Sequence, residues 1–233
     1  MADKLVIGQE AKALIGVDLS SIPDKKCITK TELTDILDSI TPNGVYILST
    51  DGKLYDPNKW DDKNNMNAVG VALVTNECKF VISTETISIS IKWGDNSTLI
   101  ENIKTTTDPN EALTDYAGQS NTEQIVNQLG DLTGPDAYAA ISCTKYTFKN
   151  GKKGYLGAVG ELLAIYDNID MINEAMDIID AETIPANSIP YQMWSSSQYS
   201  PSMAWAFAFN NGSMIHVSKT NISGMRIRAL APL

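Results

Sequence analysis

Cysteine and histidine are scarce in this chain of 233 residues. The three cysteines, Cys27, Cys78 and Cys143, are far apart and form no C-x-x-C pair, so neither a zinc knuckle nor a thioredoxin-type site is supported. A disulfide between two of them is one interpretation, should the protein be extracellular. The other is three buried free thiols, because an unpaired cysteine packs as a small hydrophobic residue.

Long apolar runs and runs of positive charge are also absent. No segment approaches the roughly 20 apolar residues of a membrane span, and the first residues lack the apolar region of a signal peptide. We therefore expect a soluble chain that does not insert into membranes. Lysine and arginine never run longer than two, and the formal net charge is −10. Because an acidic surface repels phosphate groups, nucleic acid is not an expected partner.

Sequence motifs of catalysis are missing as well. There is no G-x-S-x-G nucleophile elbow and no Walker or Rossmann glycine pattern. His216, the one histidine, lies on the polar side of a predicted strand, which favours a solvent-exposed side chain over a general base or metal ligand. Acidic loops at 56–65 and 93–102 offer oxygen ligands for calcium but lack EF-hand spacing, which favours solvated carboxylates. We expect no catalytic residue, bound metal or cofactor.

The periodicity of apolar residues indicates two sections. Residues 1–42 include TELTDILDSI, which predicts one short helix, and we interpret this section as an arm that attaches the protein to a larger assembly. From residue 43 the pattern becomes β-rich. Asp51-Gly52 lies between two strand-like runs and predicts a type I′ hairpin. Further strands are predicted for NAVGVALVT, CKFVIST and TISISIKWG.

Helical patterns occupy the middle of the second section. SNTEQIVNQLG predicts a helix that ends at Gly130. GELLAIYDNIDMINEAMDIID predicts one amphipathic helix, with Glu161 in its first turn, where a carboxylate is favourable. Strands return after it. The prediction is therefore an α+β fold of short mixed strands and two or three helices, with both ends of the chain contributing to its sheets.

Near the end of the chain, MAWAFAF alternates aromatic residues with alanines. A period of two places Trp205, Phe207 and Phe209 on one strand face and the intervening alanines on the other. We expect the aromatic residues to be buried, and Ala206 and Ala208 to be exposed. On this interpretation the aromatic face holds the core and the alanine face is free to vary.

A family resemblance is carried by three segments, KKGYLGAVGELLAIYDNIDMINEAM, WSSSQYSPSMAWAFAFNNG and MRIRAL. They are similar to C-type-lectin-fold proteins of the formylglycine-generating-enzyme-like branch, and DYAGQSNTEQIVNQLG and GVYILSTDGKLYDPNKWD fit the same family. The resemblance covers residues 43–233. Several members are variable proteins of diversity-generating retroelements, including phage tropism determinants, whose C-terminal region is rewritten by adenine-directed mutagenesis. The resemblance implies such a variable region at 193–228.

The resemblance also implies which positions are fixed and which face a ligand. The implied scaffold residues are Trp194, Ser195, Ser196, Ala204, Trp205, Phe207, Phe209, Asn211, Gly212, Arg226 and Arg228. The implied ligand-facing residues are Met193, Ser200, Pro201, Ser202, Met203, Ala206, Ala208, Ser213, Met214, His216, Ser218, Thr220, Ile222, Ser223 and Met225.

The resulting hypothesis is a non-enzymatic display protein that binds a cell-surface protein or glycan, as a phage tail component or a bacterial adhesin on the cell surface. Residues 1–42 would join it to a larger assembly, and a homotrimer is the oligomer considered. One alternative is a structural virion or fimbria-associated protein without a variable ligand face. Another is an enzyme that uses His216 or copper, but the family's oxidase branch needs a cysteine pair near the chain end and no cysteine follows Cys143.

Overall fold

The chain divides into two compact units, residues 1–42 and residues 43–233. The computed structural model describes the residue ranges 4–6, 27–29, 41–130, 138–186 and 190–233. In the first unit, β1 (Lys4–Val6) pairs antiparallel with β2 (Cys27–Thr29). The short helix predicted for 31–40 lies outside the described residues.

A six-stranded antiparallel sheet forms the framework of the second unit. Its strands are β3 (Gly44–Ser49), β4 (Leu54–Tyr55), β5 (Ala68–Val74), β6 (Lys79–Ile82), β7 (Tyr155–Leu156) and β12 (Ala229–Pro232). They lie in the order β4-β3-β5-β6-β12-β7, and each pairs antiparallel with its neighbours. Because β12 sits between β6 and β7, both ends of this unit contribute to one sheet, as predicted.

A four-stranded sheet contains the remaining C-terminal strands. They are β8 (Gln192–Gln198), β9 (Met203–Ala208), β10 (Ser213–Ser218) and β11 (Met225–Arg226). Their order is β10-β9-β8-β11, so β10 is an edge strand and β9 has a neighbour on each side. β8, β9 and β10 are antiparallel in sequence order, whereas β11 pairs parallel with β8.

Helices lie between β6 and β8 along the described chain, which makes the fold α+β, as predicted. They are α1 (Pro109–Ala112), α2 (Gly118–Leu129), α3 (Ala139–Lys145), α4 (Val159–Asp167) and α5 (Ile169–Ile178), with short 3-10 helices at Pro57–Lys59 and Asp62–Asn67. The helix predicted to end at Gly130 is confirmed as α2, and that glycine has a φ of +79°. α1 and α3 were not predicted, because each is too short to show a full apolar period.

The long helix predicted after residue 160 is two helices, α4 and α5, which meet at Asn168. This residue has φ −116° and ψ 18°, and its side-chain amide donates to the carbonyl of Ala164 at 2.9 Å. Asparagine competes with helical hydrogen bonding through such local contacts. The single-helix prediction is wrong because the apolar periodicity continues through both helices and does not show that the helix axis changes direction at Asn168.

The strand predicted for TISISIKWG is not observed. Its backbone is irregular apart from one isolated bridge between Ser88 and Ile227, and Ile89 is 62% exposed. Trp93 is buried and donates its indole N–H to the carbonyl of Ser195 at 2.7 Å. The alternation of apolar and polar residues therefore does not indicate a strand here. It arises because single apolar residues, such as Trp93, pack into the core from an irregular segment.

The hairpin predicted at Asp51-Gly52 is confirmed, since β3 pairs with β4 across this turn. Its predicted turn type is wrong. A type I′ turn needs a positive φ at both central residues. Gly52 has a φ of +82°, but Asp51 is not among the described residues with positive φ.

Two strands of the four-stranded sheet, β8 and β9, are covered on both faces. Trp205, Phe207 and Phe209 are at most 3% exposed and share a core cluster with residues of α4 and α5, so their predicted burial is confirmed. The prediction that Ala206 and Ala208 are exposed is wrong, because these residues are 0% and 4% exposed.

The irregular segment before α1 explains this error. Ala206 belongs to a second core cluster that includes Ile91, Trp93 and Trp194. Its small side chain leaves room for the two indole rings against the sheet. Period-two alternation assigned the residues to the correct faces, but alternation of large and small residues also occurs in a strand that is buried on both sides.

We expect Phe207→Ala to lower the free energy of unfolding by about 3–5 kcal/mol, because it removes a buried ring between Tyr166 and Phe209. Ala206→Leu should cost about 1–3 kcal/mol by overpacking. Exposed Ser213→Ala, the control, should stay within about 0.5 kcal/mol of wild type. Urea denaturation measures all three, and a neutral Ala206→Leu would contradict the two-sided burial.

Candidate functional site

The strand β8 is the structural centre of the C-terminal sheet. Its residues Ser195, Ser196, Ser197 and Gln198 are polar and yet at most 2% exposed. Buried polar groups are tolerated when they are hydrogen-bonded. Each of these four side chains makes such a bond, and the partners come from several segments of the chain. β8 is therefore fixed in place by directional contacts as well as by packing.

Asp115 joins β8 to the start of α2. Its carboxylate accepts hydrogen bonds from the Ser197 hydroxyl at 2.6 Å, the Asn121 amide at 2.9 Å and the backbone N–H of Ala117 at 3.0 Å. Asn121 also donates to the Ser196 hydroxyl at 3.3 Å. Asp115 is 4% exposed, so these contacts form a buried polar junction. No sequence motif indicated a buried junction at Asp115 and Asn121, whose types are ordinary in a loop and near a helix start.

Gln198, the last residue of β8, has all its side-chain hydrogen-bonding positions occupied. Its amide group donates to the carbonyl of Ile100 at 3.2 Å and to the hydroxyl of Thr105 at 2.7 Å. Its side-chain oxygen accepts from the backbone N–H of Ile100 at 3.0 Å and from the ammonium of Lys219 at 2.6 Å. These bonds hold the irregular segment against the sheet.

Lys219 anchors the loop that follows β10. Its ammonium donates to the carbonyl of Thr98 at 2.7 Å as well as to Gln198, and it lies 4.4 Å from the centroid of the Trp93 ring. Burial lowers the pKa of Lys219 to about 8, and the nearby Asp95 carboxylate opposes that change. These contacts of the buried Lys219 ammonium therefore fix the position of the loop. Nothing in the sequence distinguished Lys219 from a solvated lysine.

An exposed patch lies beside these anchored residues, along the edge strand β10. We call it the strand-edge patch, and it consists of Tyr199, Ser200, Ser202, Met203, His216, Ser218 and Thr220. None of these residues is aspartate, glutamate, lysine or arginine. Tyrosine and serine dominate antibody combining sites, where a rigid amphipathic ring supplies contact area and small hydroxyls adapt to the ligand. The patch has the same chemistry.

Stacked rings form the centre of the strand-edge patch. Tyr199 and His216 are stacked, with centroids 4.4 Å apart and planes inclined by 22°. The ring of buried Trp205 meets the same imidazole edge-on at 5.9 Å. The β9–β10 register places Met203 opposite Ser218, so both side chains lie on the sheet face of His216. The patch is therefore continuous across two strands and rests on the core.

Two turns complete the strand-edge patch. The backbone N–H of Lys219 donates to the carbonyl of Ser202 at 3.0 Å, which joins the loop after β10 to the β8–β9 turn. The hydroxyls of Ser218 and Thr220 are 3.1 Å apart. The Ser200 hydroxyl accepts from the backbone N–H of Met203 at 3.1 Å. Hydrogen bonds fix the backbone of both turns, while most of these side chains face the solvent.

The solved structure of a fimbrial protein from Bacteroides ovatus ATCC 8483 resembles this chain. The chain shares its fold. The two are 13% identical, with a TM-score of 0.56, over 83% of this chain and 49% of the fimbrial protein. This chain therefore spans about half the length of that protein. No family model and no curated protein matches the sequence.

Most of the ligand-facing residues implied by the family resemblance are exposed or half-buried. They are Ser200, Pro201, Ser202, Met203, Ser213, Met214, His216, Ser218, Thr220, Ile222 and Ser223. The implied residues in the β8–β9 turn lie next to the implied residues at the end of β10. Ser213 and Met214 lie at the other end of β10, and Ile222 and Ser223 lie on the loop after Lys219.

Four implied ligand-facing residues are corrected. Met193, Ala206, Ala208 and Met225 are 1%, 0%, 4% and 0% exposed, so none is positioned to contact a ligand. Met193 packs in the core cluster of the aromatic face, and Met225 packs in that of the alanine face. Both faces of β8 and β9 are interior surfaces, which the resemblance did not indicate.

The implied scaffold residues are mostly buried. The buried ones are Trp194, Ser195, Ser196, Ala204, Trp205, Phe207, Phe209 and Arg228. Gly212 has a φ of +69°, and a Cβ there would come within 2.6 Å of the Tyr166 ring. The Arg226 guanidinium lies 4.7 Å from the centroid of the Tyr191 ring. Asn211 is exposed, and its side-chain oxygen accepts from the backbone N–H of Ser213.

Reactive side chains have ordinary surroundings in the described residues. Cys78 and Cys143 are buried free thiols, as one of the two interpretations predicted, and burial raises the pKa of each. The side chain of Cys27 is outside the described set. Within the described residues, no group of three or more His, Cys, Asp or Glu side chains is placed to hold a metal ion. No helix in the described part is long and apolar enough to span a bilayer.

Glu161 has the helix-start role that the sequence predicts. Its carboxylate accepts hydrogen bonds from the backbone N–H of Ala158 at 2.7 Å and from the Tyr155 hydroxyl at 2.9 Å. Glu161 is 4% exposed. Burial, with a smaller contribution from the nearby Asp115 charge, raises the pKa of Glu161 to about 7, and hydrogen bonds from Ala158, Tyr155 and Gly118 oppose the change.

Replacing Lys219 should alter how stability depends on pH. Because the pKa of Lys219 is about 8 in the folded chain and about 10.5 when unfolded, the unfolded chain binds more protons between these values. Wild-type stability should therefore rise with pH relative to Lys219→Met over this interval, by about 1–3 kcal/mol. Chemical denaturation from pH 7 to 10 tests this. Lys53→Met, at a lysine whose side chain is 74% exposed, is the control and should show no such difference. Parallel curves for wild type and Lys219→Met would contradict the buried amine.

The opposite pH dependence is expected at Glu161. Its folded pKa of about 7 lies above the ordinary value of 4.5, so its stabilising contribution is complete below pH 4.5 and is lost as pH rises through 7. Wild type should lose roughly 2–3 kcal/mol relative to Glu161→Gln between pH 5 and 8. Thermal unfolding across this range measures the difference. A constant difference would show that Glu161 ionises without cost.

Proposed function

We propose that this protein is a non-enzymatic, adhesin-type surface protein that binds a ligand through its strand-edge patch. The observation that carries the proposal is the contrast between adjacent residues. Buried hydrogen bonds fix Ser195, Ser197, Gln198 and Lys219, whereas the patch beside them exposes a stacked aromatic pair, a thioether and several hydroxyls. Such a surface offers contact area that is already ordered, which lowers the entropic cost of binding.

A finer proposal concerns family and diversification. The sequence resemblance supports a C-type lectin fold of the formylglycine-generating-enzyme-like branch, with a variable region written by a diversity-generating retroelement. Burial of Met193, Ala206, Ala208 and Met225 restricts that region to the turns and β10. The DNA beyond the coding region tests this proposal. A near-repeat of the 3′ coding sequence that differs mainly at adenines, close to a reverse transcriptase gene, would support diversification, and its absence would remove that part.

The fimbrial protein of the same fold supports a cell-surface location for this chain. It also supports a second candidate function, a structural subunit of a fimbria that binds no variable ligand. Residues 1–42 would attach the chain to its assembly in either case, whether a fimbria or a virion tail. A homotrimer is the proposed oligomer, and light scattering of the purified protein tests it.

We do not propose an enzymatic role. The described ring contacts of His216 are the aromatic rings of Tyr199 and Trp205. A general base needs a proton donor or an orienting acid within hydrogen-bonding distance. The expected partners are instead a cell-surface protein or a glycan.

Replacing four large side chains together, two in the strand-edge patch (Met203 and His216) and two beside it (Met214 and Ile222), should abolish ligand binding without unfolding the protein. The variant changes Met203, Met214, His216 and Ile222 to serine, because a few large side chains carry most binding energy at an interface. The exposed His216 and Ile222 should each cost about 0.5 kcal/mol or less. Met203 and Met214 are half-buried and should cost more, but neither lies inside the core, so the fold should persist. Binding to a glycan array and to intact bacterial cells, together with thermal unfolding, measures both effects.

The matched control changes the exposed apolar residues Ile89 and Met171, which are 62% and 49% exposed, to serine. It removes surface hydrophobicity outside the patch and should leave binding unchanged. Full binding by a folded four-residue variant would contradict the ligand-binding proposal and favour the structural subunit.

A further inference from the structure

A small pocket lies between the β3–β4 hairpin and the chain that enters β5. Its volume is about 200 Å³, and it is lined by Ser49, Thr50, Asp51, Tyr55, Trp60 and Asn67. We call it the hairpin pocket. It shares no lining residue with the strand-edge patch. The sequence indicated the hairpin at Asp51-Gly52 and the acidic loop at 56–65 but not a pocket between them. Drug-sized ligands occupy pockets of about 300–1,000 Å³, so the hairpin pocket suits a smaller molecule.

Backbone hydrogen bonds hold the two walls of the hairpin pocket together. The N–H of Ser49 donates to the carbonyl of Lys53 at 3.0 Å, which closes the hairpin. The N–H of Thr50 donates to the carbonyl of Asn67 at 2.9 Å, which joins the hairpin to the residue before β5. The walls are therefore formed before any ligand arrives.

One side of the hairpin pocket is aromatic. The rings of Tyr55 and Trp60 meet edge-on, with centroids 5.4 Å apart. Trp60 also packs against the core, and the Tyr55 hydroxyl donates to the Asp51 carboxylate at 3.1 Å. These contacts fix the orientation of both rings. Aromatic rings held in this way offer an apolar surface to the C–H groups of a ligand.

The other side of the hairpin pocket is polar. The Asp51 carboxylate is oriented by the backbone N–H of Lys53 at 3.1 Å and is close to the Lys53 ammonium at 3.8 Å. The hydrogen bond from the Lys53 N–H lowers the pKa of Asp51, and desolvation of the Asp51 carboxylate opposes that change. The Thr50 hydroxyl and the Asn67 side-chain amide have no hydrogen-bond partner among the described residues, so both can bind a ligand.

We propose that the hairpin pocket binds a single neutral sugar ring. The aromatic side covers a C–H face of the ring, and the carboxylate, amide and hydroxyl bind its hydroxyl groups. The adjacent charges of Asp51 and Lys53 largely offset each other, so the pocket favours a neutral ligand over a cation or an acidic sugar. The volume of about 200 Å³ suits one ring at a time.

Indole N–H signals in the proton–nitrogen NMR spectrum test this proposal with an internal control. The chain has four tryptophans. The indoles of Trp93, Trp194 and Trp205 are bonded to backbone carbonyls inside the fold. Titration with D-galactose, D-mannose and N-acetyl-D-glucosamine should shift the Trp60 signal with at least one sugar and leave the other three in place. Trp60→Phe assigns the signal.

Two variants and one control locate the binding. Asp51→Asn and Asn67→Ala should each weaken it by about tenfold. Asp108→Asn, which changes an exposed carboxylate that similarly accepts a backbone N–H at 2.9 Å, should have no effect. The four-residue variant of the strand-edge patch should still bind the sugar, so failure of one proposal does not imply failure of the other.

Several results would overturn the sugar proposal. They are a Trp60 signal that moves with none of the three sugars, movement of all four indole signals, and a shift that survives both Asp51→Asn and Asn67→Ala. N-acetylneuraminic acid provides the charged comparison. Binding of this acid as tight as that of the neutral sugars would also contradict the proposal.

Discussion

The hydrogen bond between the buried ammonium of Lys219 and the side chain of Gln198 is the contact on which the C-terminal sheet depends. An amine removed from water is costly unless its donors are satisfied. Thr98 and Gln198 accept two of its three N–H groups, and Trp93 lies beside the charge. The lowered pKa of Lys219 shows that part of the desolvation cost remains. One interaction therefore positions the loop after β10, the end of β8 and the irregular segment that covers the alanine face.

This arrangement separates stability from recognition. Core rings and buried polar groups determine the positions of β8 and β9, and the side chains of the strand-edge patch contribute little to that framework. A surface of this kind can change residue by residue at small cost, because substitutions away from buried groups are close to neutral. That property is what the proposed adhesin-type function would require of its binding surface. The hairpin pocket is built differently, with both walls fixed by backbone bonds.

Sequence patterns predicted the α+β class, α2, the first hairpin and the buried face of β9. They could not predict the covering of Ala206, because a strand buried on both sides alternates in the same way as an amphipathic one. Asp115, Gln198 and Lys219 are ordinary surface types, and their burial follows from partners far away in sequence. The family resemblance implied a fixed Ser195 and Ser196, which are buried and hydrogen-bonded, but it assigned the buried Met193 and Met225 to the ligand face. The C-type lectin assignment itself stays a proposal.

A saturation-mutagenesis library scored for folding by surface display tests the separation of framework and patch most directly. Substitutions at Ser202, His216, Ser218 and Thr220 should be broadly tolerated. Substitutions at Ser195, Ser197, Gln198, Lys219 and Ala206 should reduce folded display for nearly every residue type. Equal tolerance in both groups, or intolerance in the strand-edge patch, would contradict the account.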